Sequence, residues 1–362
     1  MHQIDLPTPA LVIDADIVRR NLSRMAEYST RHKISVRPHV KTHKSRKLAA
    51  MQLDFGSRGL TAAKVGEAEV MAEVCEDLLL AYPAVDTART HRIARLAAKT
   101  NLKVAIDSAE AADALALAAR TAGTTIGILV DLDVGLGRTG VQSPDDAWLL
   151  AEHVLKLREL KLSGLFCYPG NIWTPAAEQG AALRVVSGKL EQTIAIWRSH
   201  GVAAEVVSGG STPSAYQSHL VPEYTEIRPG TYIFNDMNTV RGNWCALEDC
   251  AARIVATVVS TAVPGQVVID AGSKTLTSDR NGLFPDSGFG HVVEYPQAIV
   301  TKLTEEHGQI DIRGCAQPPR LGERVTVIPN HICPCVNLID AAWWMDGGQC
   351  EPLPIDARGK LS

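Results

Sequence analysis

The sequence predicts an α/β chain in which an N-terminal (β/α)8 TIM-type barrel is followed by a C-terminal all-β domain. Three observations predict it. From residue 34 onward, short apolar runs alternate with Ala-rich helical stretches through eight units, the grammar of a parallel sheet, and the count favours closure into a barrel. After about residue 250 helical periodicity stops and short β-like runs separated by Gly, Pro and Asp take over. Polar clusters also recur at the same end of successive strands, the end where barrels build their sites.

The elements follow in order. The segment at 8–14 reads as a strand outside the barrel count that pairs with the C-terminal domain. Barrel strands are expected at 34–36, 59–63, 78–82, 102–106, 126–130, 162–167, 204–207 and 226–234, with helices at 64–75, 87–98, 109–121 and 144–157 between them. The β domain is expected to hold strands at 251–263, 266–270, 291–295, 298–303, 309–312 and 324–328. The predicted division is a barrel over 15–245 and a β domain made of 1–14 plus 246–362.

Composition narrows the function. A chain of 362 residues that is 46% hydrophobic and 21% charged is long enough for a large core. Its net charge of −4 comes without a basic block, which excludes an electrostatic nucleic-acid or anionic-membrane binder. The start, Met1-His2-Gln3-Ile4-Asp5, lacks the basic and apolar regions of a signal peptide, and no apolar run is long enough to span a bilayer. Eight scattered cysteines in a chain of this size suggest reduced thiols in a cytoplasmic enzyme.

The stretch Arg37-Pro38-His39-Val40-Lys41-Thr42-His43-Lys44 carries the clearest chemistry. If it is extended, Arg37, His39, Lys41 and His43 share one face. Like charges and burial favour the neutral amine, the form that Schiff-base chemistry requires. Asp131, Asp133 and Arg138 follow the fifth barrel strand, Tyr168 and Asn171 the sixth, and Arg228, Gly230 and Tyr232 the eighth. Ser208-Gly209-Gly210-Ser211-Thr212, after the seventh, has the composition of a phosphate cradle, where glycines bring backbone N–H groups close to an anion. Lysine and cradle together point to pyridoxal phosphate. In Pro329-Asn330-His331-Ile332-Cys333-Pro334-Cys335, an extended backbone sets His331 and Cys333 on one face, where imidazole and thiolate share a divalent ion and leave positions open for substrate oxygens. The thiolate favours zinc, with manganese the alternative.

These motifs, with Arg228-Pro229-Gly230-x-Tyr232, Asp270-Ala271-Gly272-Ser273-Lys274 and Glu305-Glu306-His307-Gly308, occur in an order that resembles the D-threonine aldolase and D-serine dehydratase family. Its members are fold-type III, alanine racemase-like pyridoxal phosphate enzymes. The resemblance implies that Lys41 is the Schiff-base lysine and that Ser208, Gly209, Gly210, Ser211, Gly230 and Tyr232 surround the cofactor. Position after barrel strands adds Arg138 and Tyr168 to the expected cofactor site, with Arg138 or Arg228 suited to clamp a phosphate or carboxylate. The resemblance also implies that His331 and Cys333 are the metal pair, that the metal binds the β-hydroxyl of a D-3-hydroxy amino acid, and that the enzyme is a head-to-tail homodimer. Two departures stand out. The pair is His-x-Cys, as in dehydratases, where aldolases usually carry His-x-Asp. Asn171 stands where relatives often carry a histidine, and an amide cannot serve as a general base.

The activity implied is retro-aldol cleavage to glycine and an aldehyde, with His39 or His43 as base. The alternatives are β-elimination from D-serine, D-threonine or 3-hydroxy-D-aspartate, racemisation, and, from another class, a non-catalytic pyridoxal phosphate carrier. The C-terminal domain and its metal pair argue against the carrier.

Overall fold

The computed structural model describes residues 6–362, so the start at Met1–Asp5, where no signal peptide is expected, lies outside the described residues. Contacts divide the chain into two units, one of residues 25–41, 46–230 and 359–362, the other of 42–45, 231–358 and the described part of 1–24.

The first strand, β1 (Ala10–Asp14), belongs to the second unit and leads into α1 (Ala15–His32). The first unit holds β2 (Ser35–Val36), β3 (Leu60–Ala62), β4 (Asp77–Leu80), β5 (Asn101–Ile106), β6 (Ile126–Asp131), β7 (Leu160–Phe166), β8 (Val206–Gly209) and β9 (Glu226–Ile227). They form one eight-stranded sheet in the order β2-β9-β8-β7-β6-β5-β4-β3, and every pairing is parallel. The sheet closes on itself. Arg58 N donates to Val36 O (2.8 Å), Thr61 N donates to Pro38 O (2.9 Å), and His39 bridges Thr61 in parallel register. Closure leaves no edge strand, as a (β/α)8 barrel requires.

The helices between the strands are α2 (Arg46–Asp54), α3 (Val65–Met71), α4 (Thr87–Ala97), α5 (Ala109–Ala122), α6 (Pro144–Leu155) and α7 (Gly180–Ser199). Local sequence sets their ends. Asp86, Ser108 and Ser143 each accept a hydrogen bond from the third residue of α4, α5 and α6, satisfying an otherwise orphaned backbone donor. Inside the barrel, Leu79, Ala105, Leu129, Phe166 and Val206 from β4 to β8 pack into one layer, against which Ala81 and Tyr168 rest. Burying such side chains stabilises the fold by about 1.5–3 kcal/mol for each large one.

Two expectations are corrected. The strand read at 226–234 ends at Ile227: Pro229 has no N–H for a ladder, and residues 231–233 form a 3-10 turn. The stretch from Arg37 to His43 is not extended throughout, because residues 40–42 also form a 3-10 turn that breaks the strict alternation of faces.

In the second unit, α8 (Met237–Arg241) precedes β10 (Ala252–Ser260), β11 (Gln266–Ile269) and α9 (Ser273–Leu276). There follow β12 (His291–Val292), β13 (Ile299–Leu303), β14 (Gly308–Asp311), β15 (Arg324–Ile328), α10 (Ile332–Asn337), β16 (Ala341–Asp346) and β17 (Gln349–Pro354). The sheet is mostly antiparallel, with main order β13-β14-β11-β10-β1-β16-β17. β1 pairs antiparallel with β10 and parallel with β16, the partnership expected for residues 8–14. Among the described residues, no helix is long and apolar enough to cross a membrane.

Candidate active site

A cavity of about 480 Å³ opens at the C-terminal ends of the barrel strands. That is within the range of small-molecule sites, roughly 300–1,000 Å³. His39 and Lys41 reach it from the segment after β2, Lys64 from the end of β3, and Tyr82 from the loop after β4. Asp131, Arg138 and Thr139 enter from β6 and its loop, Tyr168 from beyond β7, and Arg228 from beyond β9.

Each side chain is positioned by local structure. The loop after β6 is pinned by Asp133, whose Oδ1 accepts from the N–H groups of Gly135, Leu136 and Gly137 at 3.1, 3.0 and 3.0 Å. Burial opposes the Asp133 charge, but these hydrogen bonds outweigh it and hold the carboxyl below its ordinary range. The pinned loop delivers Arg138, whose guanidinium lies 4.9 Å from the centre of the Tyr168 ring. Asp131 accepts a hydrogen bond from the Thr139 hydroxyl (2.8 Å), yet burial pushes its carboxyl up to about 6. Arg228 donates to Ser208 Oγ (2.8 Å) and to Cys167 O (2.7 Å), and lies 3.7 Å from the centre of the Phe166 ring. A buried guanidinium facing a cavity with only uncharged groups in contact suits an anionic or electron-rich ligand. The lysine amine, this cation and the cavity volume together fit pyridoxal phosphate.

Lys41, Arg138 and Tyr168 of the expected cofactor site line this cavity; Ser208, Gly209, Gly210, Ser211 and Gly230 do not. Ser208 and Gly209 form the end of β8, and the glycine at 209 has a packing reason. A Cβ there would come within 2.1 Å of the Tyr224 ring. Gly210 has φ +75°, the left-handed region that favours glycine. Ser211 Oγ pairs with Ser214 Oγ at 3.0 Å, and Gly230 N donates to Thr212 Oγ1 at 3.1 Å. Tyr232 is buried in the second unit. Asn171 is exposed, its amide beside Gly135, and does not line the cavity.

Of the two expected bases, His39 lines the cavity beside Lys41, and its Nδ1 accepts from Lys41 N at 3.4 Å. His43 is fully buried in the second unit, where its Nδ1 accepts from Ser45 N at 3.1 Å. Arg37 does not add its charge to that of His39 and Lys41, since Glu226 and Asp77 engage it inside the barrel.

In the second unit, His331 and Cys333 come together by a route other than the extended segment expected. His331 ends the coil and Cys333 lies in the first turn of α10. Cys333 Sγ is 3.2 Å from Thr42 Oγ1. His331 Nδ1 is paired with Asp279 Oδ2 at 2.9 Å. Burial works against a charge on the imidazole, but Cys333, Asp236 and Asp279 outweigh it and raise His331 to about 9. Their field therefore favours a cation. Nδ1 donates to a carboxylate, the kind of outer contact that orients histidines at metal sites. Among the described residues, no three His, Cys, Asp or Glu side chains converge as a metal cage.

Lys64, Tyr82 and Thr139 are cavity residues that sequence reasoning did not single out, and it places Asp131 after the fifth barrel strand without a role. Tyr82 carried a usable signal, a hydroxyl-bearing ring at the C-terminal end of a barrel strand. Lys64 had none, being one cation at the start of an ordinary helix.

Comparison with known proteins supports the architecture. The alanine racemase N-terminal domain family matches residues 13–238, and a serine dehydratase domain family matches residues 251–345. The chain is similar to D-threonine aldolase from Arthrobacter sp., with 31% identity across 97% of this chain and 93% of the relative. It is similar to D-threo-3-hydroxyaspartate dehydratase from Delftia sp. strain HT23, with 32% identity across 91% of this chain and 92% of the relative. Among solved structures, a D-threonine aldolase from Filomicrobium marinum superposes with a TM-score of 0.92 at 30% identity, covering 99% of this chain and 98% of that one. An alanine racemase from Clostridium difficile 630, 12% identical with a TM-score of 0.75, shares the fold.

Proposed function

Because the chain belongs to the D-threonine aldolase and D-serine dehydratase family of alanine racemase-like, fold-type III pyridoxal phosphate enzymes, we propose that it is a pyridoxal phosphate- and metal-dependent lyase that cleaves D-3-hydroxy amino acids to glycine and an aldehyde. One observation carries the reading: a chain similar from end to end to D-threonine aldolases places Lys41 in the cavity at the mouth of its barrel.

Pyridoxal phosphate, when bound, supplies an electron sink for the pair left on Cα as a bond to that carbon breaks. In this reading Lys41 holds it covalently, and the Arg228 and Arg138 guanidiniums engage its anionic and ring-polar groups or the substrate carboxylate. Ser208, Gly209, Gly210, Ser211, Gly230 and Tyr232 are the remaining cofactor contacts assigned by family resemblance. His331 and Cys333 hold a divalent ion, zinc before manganese, which supplies Lewis acidity toward a hydroxyl. His39 is the histidine assigned to proton transfer. His43 keeps that role only in a state that frees it from its buried contact with Ser45. The family resemblance makes a head-to-tail homodimer the proposed assembly.

A second reading is β-elimination to a 2-oxo acid and ammonia. The His-x-Cys pair favours it, as does the 32% identity to the Delftia dehydratase. The test is product analysis. Enzyme supplied with pyridoxal phosphate and zinc or manganese is incubated with D-threonine. Glycine plus acetaldehyde is expected; ammonia plus 2-oxobutyrate would replace the first reading with the second.

A further inference from the structure

Tyr82 stands apart from the other groups of the cavity because two cations from two different elements converge on it. Arg89, in the first turn of α4, donates from Nη1 to the phenolic oxygen at 2.9 Å. Lys64, the residue capping the start of α3, places Nζ 3.7 Å from the centre of the ring. Both cations are held in place. Asp86 accepts from Arg89 N at 3.0 Å and also pairs with the Arg89 guanidinium. Glu67 Oε2 accepts from Ala63 N and Lys64 N at 2.7 and 3.3 Å, fixing the backbone from which Lys64 projects. Each cation has a carboxylate near it, Asp86 against Arg89 and Glu67 against the Lys64 backbone, and both cations are directed at the one phenol.

We propose that Tyr82 is a catalytic residue of this cavity, the group that accepts the β-hydroxyl proton of the substrate, with Lys64 and Arg89 as its positioning residues. The proposal rests on the lyase reading, moves the β-hydroxyl proton from His39 to Tyr82, and supplies what Asn171 cannot. In the step, the O–H proton passes to the Tyr82 oxygen and the O–H electron pair becomes the second bond of the new carbonyl. The Cα–Cβ bond breaks with its pair left on Cα, which takes a proton from solvent to give glycine, while Tyr82 returns its own proton to solvent and regains the accepting form. Hydrogen bonds from Arg89 and from Lys64 hold the Tyr82 hydroxyl below its ordinary range, so the accepting form is reached at lower pH than for a solvated tyrosine. The other charged or titratable groups around it are Asp86 at the start of α4, Glu67 beside Lys64 and, around the cavity, His39, Lys41, Asp131, Arg138 and Arg228.

The test has one readout without cofactor and one with it. Ultraviolet difference titration of the cofactor-free protein should show, among its seven tyrosines, one that ionises early. That step should vanish in Tyr82→Phe and move to higher pH in Arg89→Met. An early step that survives in Tyr82→Phe overturns the proposal. In the loaded enzyme, Tyr82→Phe should lower kcat for D-threonine cleavage by about 10²–10⁴-fold. It should spare exchange of the D-alanine α-hydrogen with deuterium oxide, which needs no β-hydroxyl proton. Undiminished cleavage, or equal loss of cleavage and exchange, overturns the role. Failure of the lyase reading is seen separately, in the wild type, as ammonia and 2-oxobutyrate in place of glycine and acetaldehyde, and the Tyr82 role falls with it.

Discussion

Two arginines are buried in the barrel, and their surroundings are opposite. Arg37 is fully enclosed, with Nε 2.9 Å from both Glu226 oxygens and Nη1 and Nη2 each 3.0 Å from an Asp77 oxygen. Lys103 adds a second cation to Asp77 at 3.1 Å. Burial disfavours the Arg37 charge, and the two carboxylates more than restore it. Arg228 is nearly as buried but touches a hydroxyl, a carbonyl and a ring face, and burial leaves it less basic than an ordinary arginine. Both belong to one chain of contacts, since Ser208 Oγ donates to Glu226 Oε1 at 2.8 Å. The first charge is consumed in tying β2, β4 and β9 together. The second faces the cavity unneutralised by direct contact, available to a ligand. Burial and residue type do not separate a stability residue from a binding residue here; the charge of the partners does.

The comparison breaks most visibly at Arg37. Arg37→Met takes from buried Glu226 the guanidinium bonded to both its oxygens and leaves Asp77 to Lys103. It should lower unfolding free energy by about 3–5 kcal/mol in denaturant titration. A loss below about 1 kcal/mol would mean that the ion pairs are not what holds the strands.

Asp131 gives a smaller effect with a sign that can be checked. The native carboxyl holds its proton to about pH 6, whereas an unperturbed one releases it near 3.8. Between those values the native state binds more protons, so stability should fall as pH rises through the window, by at most about 3 kcal/mol. Asp131→Asn cannot ionise and should lack that fall. Parallel stability curves for the two proteins from about pH 4 to about pH 7 would contradict the buried carboxyl.

Arg228→Met should be the mildest of the three for folding, costing about 1–2 kcal/mol for the unpaired Ser208 and Cys167 acceptors. Its effect should appear in binding instead. Pyridoxal phosphate affinity should weaken about tenfold or more, the worth of one charge-assisted hydrogen bond. If cofactor affinity is unchanged while stability collapses, Arg228 is a second Arg37 and the contrast fails.

Much of the barrel was legible because β-branched and aliphatic runs in a parallel sheet are buried on both faces and stand out against Ala-rich helices. Asn101–Ile106 and Ile126–Asp131 lie within a residue of where the sequence puts them. The Lys41 segment was legible as chemistry but not as geometry. The turn at residues 40–42 breaks the alternation, and the capture of Arg37 depends on Glu226, almost two hundred positions away, which local alternation cannot see. The hairpin of β16 and β17 went unread although Gly347-Gly348, with φ of +54° and +80°, is the two-residue turn such hairpins favour. Its first strand, Ala-Ala-Trp-Trp-Met-Asp, lacks the polar alternation that marks a strand. The His331 and Cys333 pairing was anticipated from spacing on a strand, whereas the start of α10 supplies it. Tyr82 was hidden because its distinction lies in Arg89 and Lys64, two cations that only the fold brings to it.

The central claim is that Lys41 is the residue that holds the cofactor, in a cavity that contains a second lysine, Lys64. Borohydride reduction of the pyridoxal phosphate-loaded protein, followed by peptide mapping, tests it directly. The account predicts a single phosphopyridoxyl group on the peptide carrying Lys41 and none in Lys41→Ala. Modification at Lys64, or a reducible link that persists in Lys41→Ala, would contradict it.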